Sequence, residues 1–228
     1  MKKKHGFWLA GVVAICVILL AVFTAFMSES NESELEKLPA LMDATGKIEL
    51  TVGDFQLSTQ PSIGDPNAPI KVIEFADFKC PACRNWDVSN AAKFKSDYVD
   101  TGMVQFYFIN FPFLGPDSIE AAVAAEIIYN QNPDSFWEFK EKLFQNQGEE
   151  KTIWATEKFL LKFVKDNIQG IDYELFKKDL QEHKYLFDVK KDFKISAANG
   201  IYGTPSFVVN GEKVDAAKLT EKIQSLLK

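Results

Sequence analysis

The spacing of hydrophobic and polar residues predicts a strand–helix–strand unit in the first half of the chain. Ile70–Phe75 is a short, mostly apolar run rich in β-branched residues, which is typical of a buried strand. After two cysteines, apolar residues recur at helical spacing as far as about Val99, and Gly102 ends this helix. Met103–Phe111 then places alternate apolar residues on one face, as a second strand does. Together these elements predict a parallel crossover unit.

The pattern then changes to helical spacing throughout residues 115–199. Apolar side chains recur every three or four positions in successive segments, the last of them about Lys184–Asn199. Asp117 and Glu120 form a capping-box pattern at the start of the first segment. Beyond this block, the sequence predicts a strand in "TPSFVV", a tight Asn210–Gly211 turn, a partner strand and a closing amphipathic helix.

The N-terminal pattern is different, because residues 7–27 are apolar and contain no Asp, Glu, Lys or Arg. This length predicts an uncleaved membrane anchor, and Lys2–Lys4 before it predict that the N-terminus stays inside the cell. A cleavable signal is the alternative, since Ser28–Ser30 offers small residues at a suitable spacing. We therefore expect an extracytoplasmic protein that is anchored to the cell membrane, or secreted if the segment is cleaved.

These patterns divide the chain into five parts. Residues 28–58 are polar and acidic and predict a tether, in which partial alternation at Lys47–Ser58 allows an edge strand. The parts are 1–27 (short cytoplasmic N-terminus and anchor or signal), 28–58 (tether), 59–114 (first part of the folded domain, with both cysteines), 115–199 (helical insertion) and 200–228 (second part of the folded domain).

Composition narrows the class of protein. The hydrophobic fraction of 46% and the 20 Phe residues supply enough apolar material for one packed core. The net charge is −6, and Lys2–Lys4 precede the apolar segment, so the body is more acidic still. An acidic body has no basic surface for DNA or RNA, and we expect no nucleic-acid partner.

Cys80 and Cys83 are the only cysteines of the body, because Cys16 falls in the apolar segment and is expected to be a plain thiol there. A structural zinc site needs four ligands, and the body adds only His183, so we predict no metal. A purely structural disulfide gains little, since the loop that it closes is very small.

A redox pair fits the local sequence better. Pro81 suits the first turn of a helix, because its missing N–H would have no partner there. Cys80 then caps the N-terminus of that helix, where free N–H groups stabilise a thiolate. Cys83, one turn further, is expected to face the interior and to resolve the disulfide.

Two segments carry a resemblance to a known family. "VIEFADFKCPAC", followed far along the chain by "GTPSFVVNG", resembles the thioredoxin superfamily. The long helical block between them is similar to the DsbA family, in particular to the DsbA-like oxidases of Gram-positive bacteria. The resemblance covers about residues 60–228 and implies an α/β, thioredoxin-like fold with a large all-helical insertion, here preceded by the N-terminal transmembrane segment.

The resemblance also implies roles for single residues. Cys80 matches the exposed nucleophile and Cys83 its buried partner. Pro205 matches the cis-proline beside the disulfide, and Thr204 the residue whose backbone pairs with bound peptide. Glu74, six residues before Cys80, matches a buried acid that exchanges a proton with Cys83. A solvent-facing glutamate on an edge strand is the alternative.

One departure from the family concerns the two residues between the cysteines. Pro81 and Ala82 stand where the best-studied members have proline and histidine, and these residues tune the thiolate. Lys79 and Arg84 flank the pair, either adding positive potential or remaining ordinary solvated charges.

The resemblance predicts a thiol–disulfide oxidoreductase that introduces disulfides into exported proteins. We expect a monomer whose substrates are unfolded or newly exported cysteine-containing proteins, and whose reoxidation needs a DsbB-like, quinone-linked membrane protein. No cofactor is expected beyond the Cys80–Cys83 disulfide. The alternatives are a membrane-anchored reductase or isomerase, and a peptide-binding or chaperone module without turnover.

Overall fold

The computed structural model describes residues 12–13, 15–22, 24 and 34–228, which divide between two compact units, Met1–Lys37 and Leu38–Lys228. In the first unit, the described residues from 12 to 24 are helical. The rest of the predicted anchor at 7–27 lies outside the described residues. Among the residues that are described, no helix combines the length and the apolar character needed to cross a membrane.

The second unit is built on a five-stranded mixed sheet in the order β1-β3-β2-β4-β5. The central strand β2 runs parallel to β3 and antiparallel to β4. The strands are β1 (Ser62–Ile63), β2 (Ile70–Ala76), β3 (Val104–Asn110), β4 (Ser206–Val209) and β5 (Glu212–Val214). The predicted parallel unit and the C-terminal hairpin are both present.

Helices cover both faces of this sheet. Helix α1 runs without a break over residues 81–99. It begins with the α-helical segment Pro81–Trp86 and includes two π-helical segments, Asp87–Ala91 and Lys95–Val99. Five helices lie between β3 and β4 and form the predicted insertion. They are α2 (Pro116–Gln131), α3 (Pro133–Gln145), α4 (Glu157–Asn167), α5 (Tyr173–Gln181) and α6 (Leu186–Ala198), and the closing helix is α7 (Leu219–Leu226).

Two local predictions were wrong. Lys47–Ser58 forms no strand, because Gly53 bends the chain and Phe55 packs against Phe75 as part of a loop. The edge strand beside β3 is instead Ser62–Ile63, a few residues further along the chain.

The predicted capping box at the start of α2 is also absent. Gly115, which has a φ of 135°, precedes the helix without a side-chain cap, and Pro116 takes the first position. Asp117 is fully buried and Glu120 nearly so, and each pairs with a side chain from another segment. Both carboxylates therefore pair with side chains of other segments and do not cap the helix.

The insertion and the sheet share one hydrophobic core. Phe78, which follows β2, packs at 5.8 Å from the ring of Phe139 and at 5.1 Å from that of Phe144, both on α3. Phe108 of β3 packs at 5.6 Å from Phe136. Cys83 belongs to the same cluster and has no exposed surface. The helical block therefore packs directly against the sheet and forms part of the core of the domain.

A buried ion pair joins the segment after β2 to the insertion. The ammonium of Lys79 lies 2.7 Å from Oδ1 of Asp117, and the two side chains are 2% and 0% exposed. Lys79 also donates to the carbonyl of Thr152, and Asp117 accepts from the backbone N–H groups of Trp154 and Ala155. Lys79 is therefore neither a solvated charge nor a free source of positive potential.

We expect Lys79→Met to destabilise the domain strongly, because it leaves a buried, uncompensated carboxylate at Asp117. Breaking such a pair costs about 3–5 kcal/mol of the free energy of unfolding. Urea denaturation of the full chain measures this loss. Lys162→Met is the matched control, because Lys162 forms an exposed pair with Asp166 on α4. An equal loss in both variants would contradict this assignment.

Candidate active site

Cys80 caps the N-terminus of α1, as the sequence predicts. Its backbone is extended (φ −74°, ψ 118°), and Pro81 follows as the first helical residue. The sulfur accepts a hydrogen bond from the backbone N–H of Cys83 at 3.4 Å. A proline at this position leaves no N–H unsatisfied, so the helix can begin directly after the cysteine.

Strand pairing brings the Thr204–Pro205 segment to the same place. Phe75 of β2 pairs with Ser206 of β4 in an antiparallel register, so the residues before β4 lie beside those after β2. The Thr204–Pro205 peptide bond is cis, and the carbonyl oxygen of Thr204 lies 3.3 Å from the Cys80 sulfur. The sheet thus joins two segments that are far apart in the sequence.

The surroundings of Cys80 favour its thiolate. The pKa of Cys80 is lowered to about 6, chiefly by a hydrogen bond from the Cys83 thiol. Burial opposes this shift, while the Thr204 side chain and the backbone N–H groups of Cys83 and Ala82 add to it. The buried Thr204 hydroxyl has no hydrogen-bond partner among the described residues, so it is available to donate to the thiolate.

Cys83 has the opposite character. Burial raises its pKa well above the ordinary value, and the negative charges of Cys80 and Glu74 raise it further. Both thiols are free in this structure, which is therefore the reduced form. At neutral pH the pair thus consists of a thiolate at Cys80 and a neutral thiol at Cys83.

Glu74 lies in the middle of the central strand and is completely buried. Burial raises its pKa to about 7, against the attraction of Lys140, whose ammonium lies 3.4 Å from Oε2. The solvent-facing alternative is therefore wrong. A carboxyl group with a pKa near neutrality can both donate and accept a proton at the pH of most cells.

Three residues of the site were missed by the sequence analysis. Lys140 of α3 pairs with Glu74 and also with Asp87 of α1. Gln147, which follows α3, donates from its side-chain amide to the carbonyls of Phe78 and Cys80. A signal for Lys140 did exist, because it stands among Phe and Leu residues on the buried face of α3.

The remaining predicted residues lie at the surface of the site or away from it. Ala82 and Arg84 are exposed on α1. His183 lies in the insertion, where its Nε2 is 3.2 Å from Oε2 of Glu120. Within the described parts of the chain, no cluster of three or more His, Cys, Asp or Glu side chains could hold a metal ion.

A groove runs along the surface beside the cysteines. It has a volume of about 670 Å³, and Ala82 and Pro205 are among the residues that line it. Tyr98 of α1 and Leu219 of α7 also line it. This volume is within the range of pockets that bind small ligands.

Comparisons with known proteins agree with this geometry. A family model described as Thioredoxin matches residues 56–228. A probable disulfide bond formation protein D of Bacillus anthracis is 40% identical over 211 residues, which are 92% of this chain and 91% of that protein. Disulfide bond formation protein D of Bacillus subtilis is 34% identical over 180 residues, covering 77% and 81% of the two chains.

Solved structures extend the likeness to the insertion. The oxidised form of BdbD from Bacillus subtilis superposes with a TM-score of 0.70 at 32% identity, covering 81% of this chain and 97% of that one. DsbA of Chlamydia trachomatis has a TM-score of 0.68 at 22% identity, over 81% and 97% of the chains, and supports the fold alone. The chain therefore belongs to the thioredoxin family, with a DsbA-like helical insertion, and is a thiol–disulfide oxidoreductase.

Proposed function

We propose that the protein is an oxidase that introduces disulfides into exported proteins. The observation that carries this proposal is the contrast between the two thiols, a stabilised thiolate at Cys80 and a buried, neutral thiol at Cys83. Each unit by which a thiol pKa falls stabilises the thiolate by about 1.4 kcal/mol. Because only the reduced form has a thiolate, this stabilisation favours reduction of the enzyme and hence oxidation of the substrate.

The catalytic cycle begins with a substrate thiolate that attacks the Cys80 sulfur of the oxidised enzyme. The Cys80–Cys83 bond breaks, and the sulfur of Cys83 takes a proton from Glu74. A second substrate thiol then attacks the mixed disulfide, releasing oxidised substrate and reduced enzyme. The backbone of Thr204 and the groove beside Pro205 hold the extended substrate segment during both steps.

The compartment and partners follow from the N-terminal sequence and from the chemistry. Residues 7–27 anchor the chain in the membrane, or are cleaved, and the domain acts outside the cytoplasm on cysteine-containing proteins that have just been exported. There the surroundings are oxidising. A DsbB-like, quinone-linked protein in the same membrane reoxidises the Cys80–Cys83 pair, so the chain needs no bound cofactor. We also propose that the chain acts as a monomer.

The thiolate assignment predicts an ultraviolet titration of the reduced chain with a midpoint near pH 6. Cys80→Ser should lose this titration, whereas Cys83→Ala should keep it at a higher pH, because the hydrogen bond from Cys83 is the largest cause of the shift. Since the folded-state pKa lies below the ordinary value, the thiolate stabilises the folded reduced chain fully above about pH 9, and this contribution disappears as the pH falls through 6. A midpoint near 9 in the wild type would contradict the assignment.

Turnover tests the function itself. The oxidised chain should oxidise a reduced, unfolded protein such as ribonuclease, and Cys80→Ser should reduce this rate to that of the uncatalysed reaction. Cys83→Ala should also fall to the uncatalysed rate, because without the Cys83 sulfur the chain cannot form the disulfide that the substrate thiolate attacks. Substrate binding without oxidation by the wild type would favour a peptide-binding or chaperone module.

A further inference from the structure

The short connection from β2 to α1 carries the nucleophile. β2 ends at Ala76 and α1 begins at Pro81, and between them the backbone N–H of Cys80 donates to the carbonyl of Asp77 at 3.0 Å. The N–H of Lys79 donates to the side chain of Asp77 at 2.8 Å. These bonds use the N–H groups of the turn, so its carbonyls need donors from elsewhere.

One side chain of the insertion supplies donors to two of these carbonyls. Nε2 of Gln147, which follows α3, lies 2.8 Å from the carbonyl oxygen of Phe78 and 3.1 Å from that of Cys80. A side-chain amide has two N–H donors, so each carbonyl can receive its own hydrogen. Among the described residues, the Phe78 carbonyl has no other donor, whereas the Cys80 carbonyl also accepts from the N–H of Arg84. Gln147 therefore holds the turn at two points.

The segment that carries Gln147 is itself closely packed. A Cβ atom at Gly148 would lie 2.6 Å from Cγ of Trp154, so the backbone beside Gln147 lies directly against the indole. Further along the same segment, the carbonyl of Thr152 accepts from the ammonium of Lys79 at 2.9 Å. The connection between α3 and α4 thus binds the turn through a side chain and through a carbonyl, and it leaves Gln147 little room to move.

The two carbonyl contacts bear on the position of the Cys80 sulfur. Because the peptide group is planar, the direction of a carbonyl fixes the ψ angle of its own residue. Cys80 has the extended ψ of 118° that is typical of a helix cap, and in this conformation its sulfur lies 3.4 Å from the backbone nitrogen of Cys83. A Cys80 carbonyl that is held in place therefore keeps the sulfur at the helix N-terminus, where a thiolate is stabilised.

We propose that Gln147 is a positioning residue of the thiol–disulfide exchange, which fixes the carbonyls of Phe78 and Cys80 and thereby holds the Cys80 sulfur at the start of α1. Gln147 acts through the backbone of Cys80. The inference rests on the thiolate of the proposed function and is independent of the direction in which electrons flow. Without the amide, the turn is free to rotate, and the sulfur loses part of its hydrogen bonding to the helix.

The test is an ultraviolet titration of the Cys80 thiolate in the full chain, purified in detergent and reduced. Gln147→Met keeps the length of the side chain and removes both donors. It should raise the midpoint from near pH 6 by about half a unit or more, the size expected for the loss of one hydrogen bond to the sulfur. Gln147→Asn, whose amide is one methylene too short to reach both carbonyls, should shift the midpoint in the same direction.

Two control variants on α3 separate positioning from a general loss of stability. Gln145→Met removes an exposed amide that donates to Glu141, and it should change neither the midpoint nor the stability in urea. Ser135→Ala removes a hydrogen bond to the carbonyl of Gln169 at the other end of the helix. It should lower the stability in urea and leave the midpoint unchanged.

An unchanged midpoint in Gln147→Met, or an equal rise in Ser135→Ala, would overturn the inference. If Gln147→Met fails to fold, Gln147→Asn decides in the same way. Failure of the proposed function is separate, because the wild type would then titrate near pH 6 without oxidising a reduced protein.

Discussion

The sulfur of Cys80 lies where hydrogen-bond donors from separate parts of the chain converge, and the chemistry of the protein depends on this convergence. The backbone at the start of α1 and the Cys83 thiol supply donors from one side, and Thr204 supplies one from the other. A thiolate is stable there although the residue is only 6% exposed. The antiparallel pairing of β2 with β4 brings Thr204 to the sulfur, so the sheet supplies one of these donors.

The helical insertion takes part in the site as well as covering it. Through Lys79 and Asp117 it fixes the segment that leads from β2 into α1. Through Gln147 it binds the carbonyl of Cys80 itself. Through Lys140 it places a positive charge beside the buried Glu74. A DsbA-like protein of this kind therefore cannot be described as a thioredoxin domain with a separate lid, because the insertion sets the electrostatics behind the disulfide.

The sequence predicts what depends on local pattern and misses what depends on packing. Cys80 as a helix cap follows from the adjacent proline, and the buried strand and the helical block follow from hydrophobic spacing. The burial of Lys79 could not be predicted, because its partner lies 38 residues away on a helix of unknown position. Lys140 was missed for the same reason, since a lysine on an apolar helix face makes sense only once Glu74 and Asp87 are known to face it. The short strand Ser62–Ile63 forms because β3 offers an edge, which no local pattern reveals.

The redox potential of the Cys80–Cys83 pair tests the central claim most directly, because it measures the stability of the reduced form that the Cys80 thiolate provides. Alanine at position 82 makes this measurement informative, since the neighbours of the cysteines tune the thiolate. Equilibration of the full chain with glutathione buffers gives the value. An oxidase with this site should have a potential clearly above that of thioredoxin, which is about −270 mV. A potential at or below that of thioredoxin would contradict the account and would favour a reductase.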